Sequence, residues 1–168
     1  MDDIVQASGL SKGGLYWHFK SKDDILVAIL QQWLDQSLLQ QTTALAIPAG
    51  TTLQKLQNLG QSAIADLQQL SQMPSLCLEF YALAARRPDV RQFTHTYYQH
   101  YHNLLSQLLQ QGLDNGEFQN IVPSAVATIL IAQLEGQLLL WSIAPDLVNL
   151  SGQGAEALQL LLLGLQHA

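Results

Sequence analysis

The chain is poor in charge, in cysteine and in unbroken apolar runs, and each shortage narrows what it can be. Only 12% of its 168 residues are charged, against 48% hydrophobic. So little charge leaves few polar side chains to coat a soluble monomer, and implies that part of the surface is covered by a second copy of the chain. Disorder is excluded, since Leu-rich segments run through the whole length. The single cysteine, Cys77, cannot close an internal disulfide. Met1-Asp2-Asp3 opens the chain acidic where a secretory signal needs positive charge. A reducing cytoplasm is the expected setting. The longest apolar stretch, 125–144, is broken by Gln133, Glu135 and Gln137. A charge at the bilayer centre costs ~3 kcal/mol, so this stretch reads as a buried or interfacial helix, with no membrane as partner.

Strand signals are missing too. Period-two alternation does not occur, and apolar residues recur at three and four, so the expected fold class is all-α. Enzymatic machinery is equally scarce. The sequence has no paired carboxylates in a shared apolar setting, no nucleophile–base arrangement and no phosphate-binding glycine loop, so no enzyme and no cofactor is expected. His95 and His102 share a helix face, but a metal would need a third ligand, for which Glu79 is the nearest candidate; solvated histidines are far commoner, and no metal is expected.

Basic residues are few and unevenly placed. Net charge is −6, yet three of the four lysines (Lys12, Lys20, Lys22) fall in the first 22 residues. Beyond Asp24 only Lys55, Arg86, Arg87 and Arg91 stand against nine carboxylates. Any contact with nucleic acid must therefore come from the N-terminal end, with the acidic remainder held away from phosphate.

What is present is helix after helix. A first short helix over 2–8 is ended by Gly9, free to take a positive φ. Ser11 caps a second over 12–18. Ser21, with Asp23 and Asp24, starts a long connecting helix over 22–38. Further helices are expected over 51–71, 75–86, 88–112, 123–144 and 153–166. Pro74, Pro88 and Pro123 mark starts and Pro145 an end. Residues 47–50 read as a linker, and 112–116 and 151–154 as turns. This divides the chain into an N-terminal unit, 1–40, and a second unit, 41–168.

Two short helices joined by a glycine turn, with a third following at once, form a helix-turn-helix, whose second helix enters the major groove. Ile4, Val5, Leu10, Leu15 and Phe19 hold the pair together. Lys12, Gly13, Gly14, Tyr16, Trp17 and His18 are left facing outward. Adjacent glycines allow close backbone approach to DNA, and Lys and Tyr suit phosphate or base-edge hydrogen bonds. The run Ser11-Lys12-Gly13-Gly14-Leu15-Tyr16-Trp17-His18-Phe19-Lys20-Ser21-Lys22-Asp23-Asp24-Ile25-Leu26 closely resembles the recognition-helix signature of the TetR family of transcriptional regulators. The resemblance covers about 30 residues closely, and the rest in helix count and length. It implies that Lys12, Gly13 and Gly14 read bases, and that Tyr16, His18 and Lys22 clamp phosphate. Trp17 would pack on a sugar or on Tyr16. It also implies a helix ahead of Met1, as family members carry one. Without it the faces of Ile4, Leu15 and Phe19 would be partly wet, and operator binding by the chain as written is expected to be weak.

The second unit is expected to sense a ligand and to dimerise. Cys77, Phe80, Tyr81 and Ala84 share one helix face; Thr94, Tyr97, Tyr98 and Tyr101 share another. Together they could line an apolar pocket with a few hydroxyls, or simply form an aromatic core. Gln133 and Gln137 are candidate pocket groups on the next helix. The last two helices are apolar nearly all round, so both sides need cover. The resemblance implies that they pair with their copies in a four-helix bundle, through Leu134, Leu138, Trp141, Leu158, Leu161, Leu162 and Leu165. The expectation is a homodimeric regulator that binds double-stranded operator DNA and is released by a small hydrophobic effector. The competing reading is a helical ligand-binding or scaffold dimer without DNA binding.

Overall fold

The computed structural model describes residues 2–9, 11–45, 50–70 and 74–166. Eight helices follow one another, with no strand among the described residues: α1 (Asp2–Ser8), α2 (Lys12–His18), α3 (Lys22–Leu45), α4 (Thr52–Leu70), α5 (Pro74–Arg86), α6 (Pro88–Asp114), α7 (Pro123–Ile143) and α8 (Leu150–Gln166).

Local chemistry accounts for the boundaries. Gly9 ends α1 at φ 69°, a conformation that costs glycine nothing. Ser11 Oγ accepts from the Gly14 N–H at 3.1 Å and caps α2; Ser21 Oγ does the same for the Asp24 N–H at the head of α3. Pro74, Pro88 and Pro123 are the first residues of α5, α6 and α7, where a missing N–H costs nothing. Two expectations fail. The connecting helix runs seven residues past 38, to Leu45, so the expected boundary at residue 40 falls inside it. Residues 151–154 are no turn: Asn149 Oδ1 accepts from the Gly152 N–H, the Gln153 side chain accepts from the Asn149 N–H, and α8 starts at Leu150. This reciprocal cap outweighs the low helix propensity of the two glycines. Leu10 and the expected linker at 47–49 lie outside the described residues.

Three apolar clusters make one body. Leu56, Leu59, Leu105, Leu109, Phe118, Leu130 and Leu162 join α4, α6, α7 and α8. Ile64, Cys77, Leu134, Leu138, Trp141 and Leu150 join α4, α5, α7 and α8. Leu26, Leu30, Leu34, Phe80, Leu83 and Val90 fasten α3 to α5 and α6. Helix α7 is long and apolar enough to cross a membrane; in this fold Ala127, Leu130, Leu134, Leu138 and Trp141 are buried against its neighbours.

That packing corrects the expected dimer face. Leu134, Leu138, Trp141, Leu158, Leu162 and Leu165 are at most 9% exposed within the single chain; they are spent on its own core, and Leu161 packs beside them. The apolar side chains left facing out on α7 and α8 are Ile129, Leu139, Leu140, Ile143, Leu160 and Leu163, with Leu147 between the helices. An all-round apolar helix says that two sides need cover, and only the neighbours say which side is which.

Glu117 fastens the far end. Its carboxylate accepts from the Thr52 N–H (2.9 Å), the Thr52 hydroxyl (2.8 Å) and the Leu53 N–H (3.2 Å), capping α4 from the loop after α6. Burial disfavours the charged form, but these hydrogen bonds outweigh it and hold the carboxyl below its ordinary 4.5. A lowered carboxyl stabilises the fold above that ordinary value, and the contribution is lost as pH falls through the folded value. Glu117→Gln is therefore expected to cost roughly 1 kcal/mol near neutrality and to flatten the acid limb of melting temperature against pH. Thermal melts between neutral pH and about pH 3 check this; a variant with the parent's acid profile would refute the capping role.

Candidate nucleic-acid interface and effector cavity

The N-terminal pair, α1 and α2, packs on itself around buried Leu15, with Ile4, Val5 and Phe19 half-buried. It makes no substantial contact with α4–α8. Every residue expected to face DNA is exposed or partly so: Lys12, Gly13, Tyr16, Trp17, His18 and Lys22 are exposed, and Gly14 is partly covered. Trp17 is 82% exposed, which no packing requirement explains. It meets the His18 ring edge-on at 4.6 Å, rather than Tyr16. Lys12 pairs with Asp2 at 2.9 Å, both in solvent, and each holds the other's charged form. The two glycines differ. A Cβ at Gly14 would press on the capping Ser11 Oγ at 3.2 Å, whereas a Cβ at Gly13 would meet open space. The fold itself sets no demand for glycine at position 13.

Beyond α3 the helices enclose a cavity of two connected chambers. The larger, about 240 Å³, is lined by Leu30, Trp33, Leu34, Cys77, Phe80, Tyr81, Ala84, Thr94, Tyr98, Glu135 and Leu138. The smaller, about 30 Å³, is lined by Ser37, Gln41, Asp66, Tyr97 and Tyr101 among others, and shares Trp33, Tyr98 and Glu135 with the first. Cys77, Phe80, Tyr81, Thr94, Tyr97, Tyr98 and Tyr101 are thus brought round one space. Gln133 and Gln137 are not. The cavity face of α7 is Ile131, Leu134, Glu135 and Leu138, the i, i+3, i+4, i+7 stripe of a helix. Gln137 lines a groove between α7 and α8 instead, and the Gln133 amide is buried away from both chambers without a partner.

The polar groups that sequence reading missed are Ser37, Gln41, Asp66 and, as a pocket group, Glu135. Their sole signal was polarity on otherwise apolar faces. Tyr81 donates to Glu135 Oε2 at 2.5 Å. Ser37 Oγ donates to Asp66 Oδ2 at 3.2 Å, and Gln41 Nε2 donates to Ser37 Oγ at 3.0 Å and to the Tyr97 hydroxyl at 3.4 Å. Burial pushes Asp66 up, against the opposing Ser37 hydrogen bond. Burial, then the nearby Glu135 carboxylate, pushes the Tyr81 and Tyr98 phenols well above their ordinary range. Burial also raises the Cys77 thiol, which is the unreactive direction.

An exposed helix-turn-helix ahead of a cavity-bearing helical body is the arrangement to which known proteins can be compared. Residues 1–29 match the model for bacterial regulatory proteins of the tetR family, and residues 53–162 match the model for the C-terminal part of BetI-type transcriptional repressors. The chain belongs to the TetR family. Among TetR-like proteins, the HTH-type transcriptional regulator YfiR of Bacillus subtilis is 29% identical over 130 residues, which are 74% of this chain and 60% of the relative. The chain therefore spans well under two thirds of that relative's length. A TetR transcription regulator from Haloarcula marismortui superposes with TM-score 0.83 at 15% identity, over 96% of this chain and 84% of the other. A transcriptional regulator from Saccharomonospora viridis in complex with choline superposes with TM-score 0.79 at 19% identity, over 94% and 81%. At such identities the likeness is one of fold.

Proposed function

We propose that the protein is a cytoplasmic, homodimeric transcriptional repressor that binds operator DNA through α2 and is released by a small hydrophobic effector held between α3, α5, α6 and α7. The observation that carries the reading is the exposed set on one short helix and the turn after it: Lys12, Tyr16, Trp17, His18 and Lys22. A chain of net charge −6 concentrates its lysines there, on a tip that the body neither covers nor needs. Lys12 and Gly13 are assigned to base edges, with Gly14 beside them, and Tyr16, His18 and Lys22 to phosphate. Two such tips must sit ~34–36 Å apart to dock on one face of DNA.

Helix α3 ties tip to cavity. It begins at Lys22 and walls the cavity with Leu30, Trp33 and Leu34. Its first turn is pinned to the α5–α6 corner by Asp23–Arg86 (3.2 Å) and Asp24–Arg87 (3.0 Å), while Arg87 also holds Asp89 at 2.7 Å. An effector that favours another placement of α5 or α6 would carry α3, and so alter tip spacing; it shifts the population by its differential affinity. A family-fold neighbour solved with choline is in keeping with a small-molecule effector.

The test is a gel shift on DNA upstream of the protein's own coding sequence. Lys22→Ala is expected to weaken binding across sequences and to lower the slope of log affinity against log salt by about one; Tyr16→Ala is expected to weaken it as well. Binding unaffected by either change, or insensitive to salt, would leave a helical ligand-binding dimer and sink the proposal.

A further inference from the structure

We infer that the cavity takes an amphiphilic organic cation, its positive head against Glu135 and its apolar part in the larger chamber; this rests on reading the cavity as the effector site. The chambers meet at Trp33, Tyr98 and Glu135. The polar atoms turned to this space are mostly acceptors. Glu135 and Asp66 supply carboxylates, and no Lys, Arg or His is among the residues lining either chamber. Among the described residues, no cation is ion-paired with either carboxylate.

Gln41 adds a further acceptor. It is 1% exposed, and its Oε1 has no partner. The orientation of its amide follows from its neighbours. Ser37 spends its one proton on Asp66, so its oxygen can only accept from Gln41, which must present nitrogen there. The Gln41 oxygen is the atom left over.

Around these acceptors stand aromatic rings, whose faces attract positive charge. Trp33 and Tyr98 flank Glu135 at the junction, and Tyr81 orients its carboxylate by a direct hydrogen bond. A carboxylate in a largely apolar cavity without a counter-charge is costly, and a bound cation offsets that cost. An anionic ligand would meet two carboxylates and gain nothing. The larger chamber, at about 240 Å³, exceeds the ~150 Å³ of engineered apolar cavities that admit benzene.

The test compares benzyltrimethylammonium with neopentylbenzene, its uncharged carbon isostere, on the 168-residue chain by calorimetry and by quenching of Trp33 fluorescence, with Trp17 and Trp141 replaced by phenylalanine. The cation is expected to bind at least about tenfold tighter than the hydrocarbon. Glu135→Gln is expected to remove most of that preference, and Glu135→Asp to restore part of it. Should Glu135→Gln fail to fold, the comparison on the unmodified Glu135 and on Glu135→Asp still decides. Equal binding of both probes, or a preference unchanged in Glu135→Gln, overturns the cation while leaving a hydrophobic effector in place. Binding of neither probe overturns it as well; a chain that then also answers no hydrophobic compound in a thermal-shift screen loses the effector reading with it.

Discussion

The double variant Leu140→Glu, Leu160→Glu is expected to fold normally, to sediment as a monomer and to lose operator affinity about a hundredfold or more. Both residues lie in solvent in the single chain, at 58% and 65% exposure, and both line the groove between α7 and α8. Changing them should cost the monomer within about 0.5 kcal/mol. In a two-fold dimer each substitution occurs twice, so four carboxylates would enter one apolar interface, each costing several kcal/mol to desolvate. A monomer carries one reading tip, and the second tip's effective concentration is what raises affinity by two to four orders of magnitude. Leu138→Glu is the contrasting change: that side chain is 5% exposed and belongs to the core, so it should unfold the chain rather than split a dimer. Sedimentation and circular dichroism separate the outcomes. A double variant that remains dimeric at micromolar concentration would place the interface elsewhere.

Phe118→Ala is expected to lower stability by about 3–5 kcal/mol, which at this chain length lowers the melting temperature by roughly 10 °C. Phe118 is 2% exposed and sits in the largest apolar cluster, beyond the C-terminal end of α6. Its place depends on Gly112. Both the Glu117 and Phe118 N–H groups return to the Gly112 carbonyl, and the ring lies so close to Gly112 that any Cβ there would overlap it. Gly112→Ala should therefore destabilise by forcing the ring out, at about 1–3 kcal/mol. Because Glu117 caps α4 from the same loop, a displaced Phe118 should also loosen that cap. Thermal melts of the two variants and of the pair test this. The pair should cost less than the sum, since once the ring is gone the added methyl meets no clash. Strict additivity would refute the contact.

Helix boundaries were legible because their causes lie within four residues of one another. Ser11, Ser21 and the prolines at 74, 88 and 123 act through their own backbone neighbours, and a reader of the sequence sees the same neighbours. The reading tip was legible for a similar reason: Leu15 against Lys12, Tyr16 and Trp17 is a pattern within one turn or two. Partition of the apolar helices was not legible. On α8, Leu158 and Leu162 face the core while Leu160 and Leu163 face out, and nothing in a run of leucines distinguishes them. On α7, Glu135 rather than Gln133 or Gln137 meets the cavity, because helix rotation is set by how α5, α6 and α8 pack around it. The sequence by itself determined an all-helical chain with an exposed basic tip and a surplus of apolar surface. Tertiary packing alone decided which of that surface is core, which is left for a partner copy, and that the cavity is walled by carboxylates and rings, since residues as far apart as Gln41, Asp66 and Glu135 become neighbours only when the helices assemble.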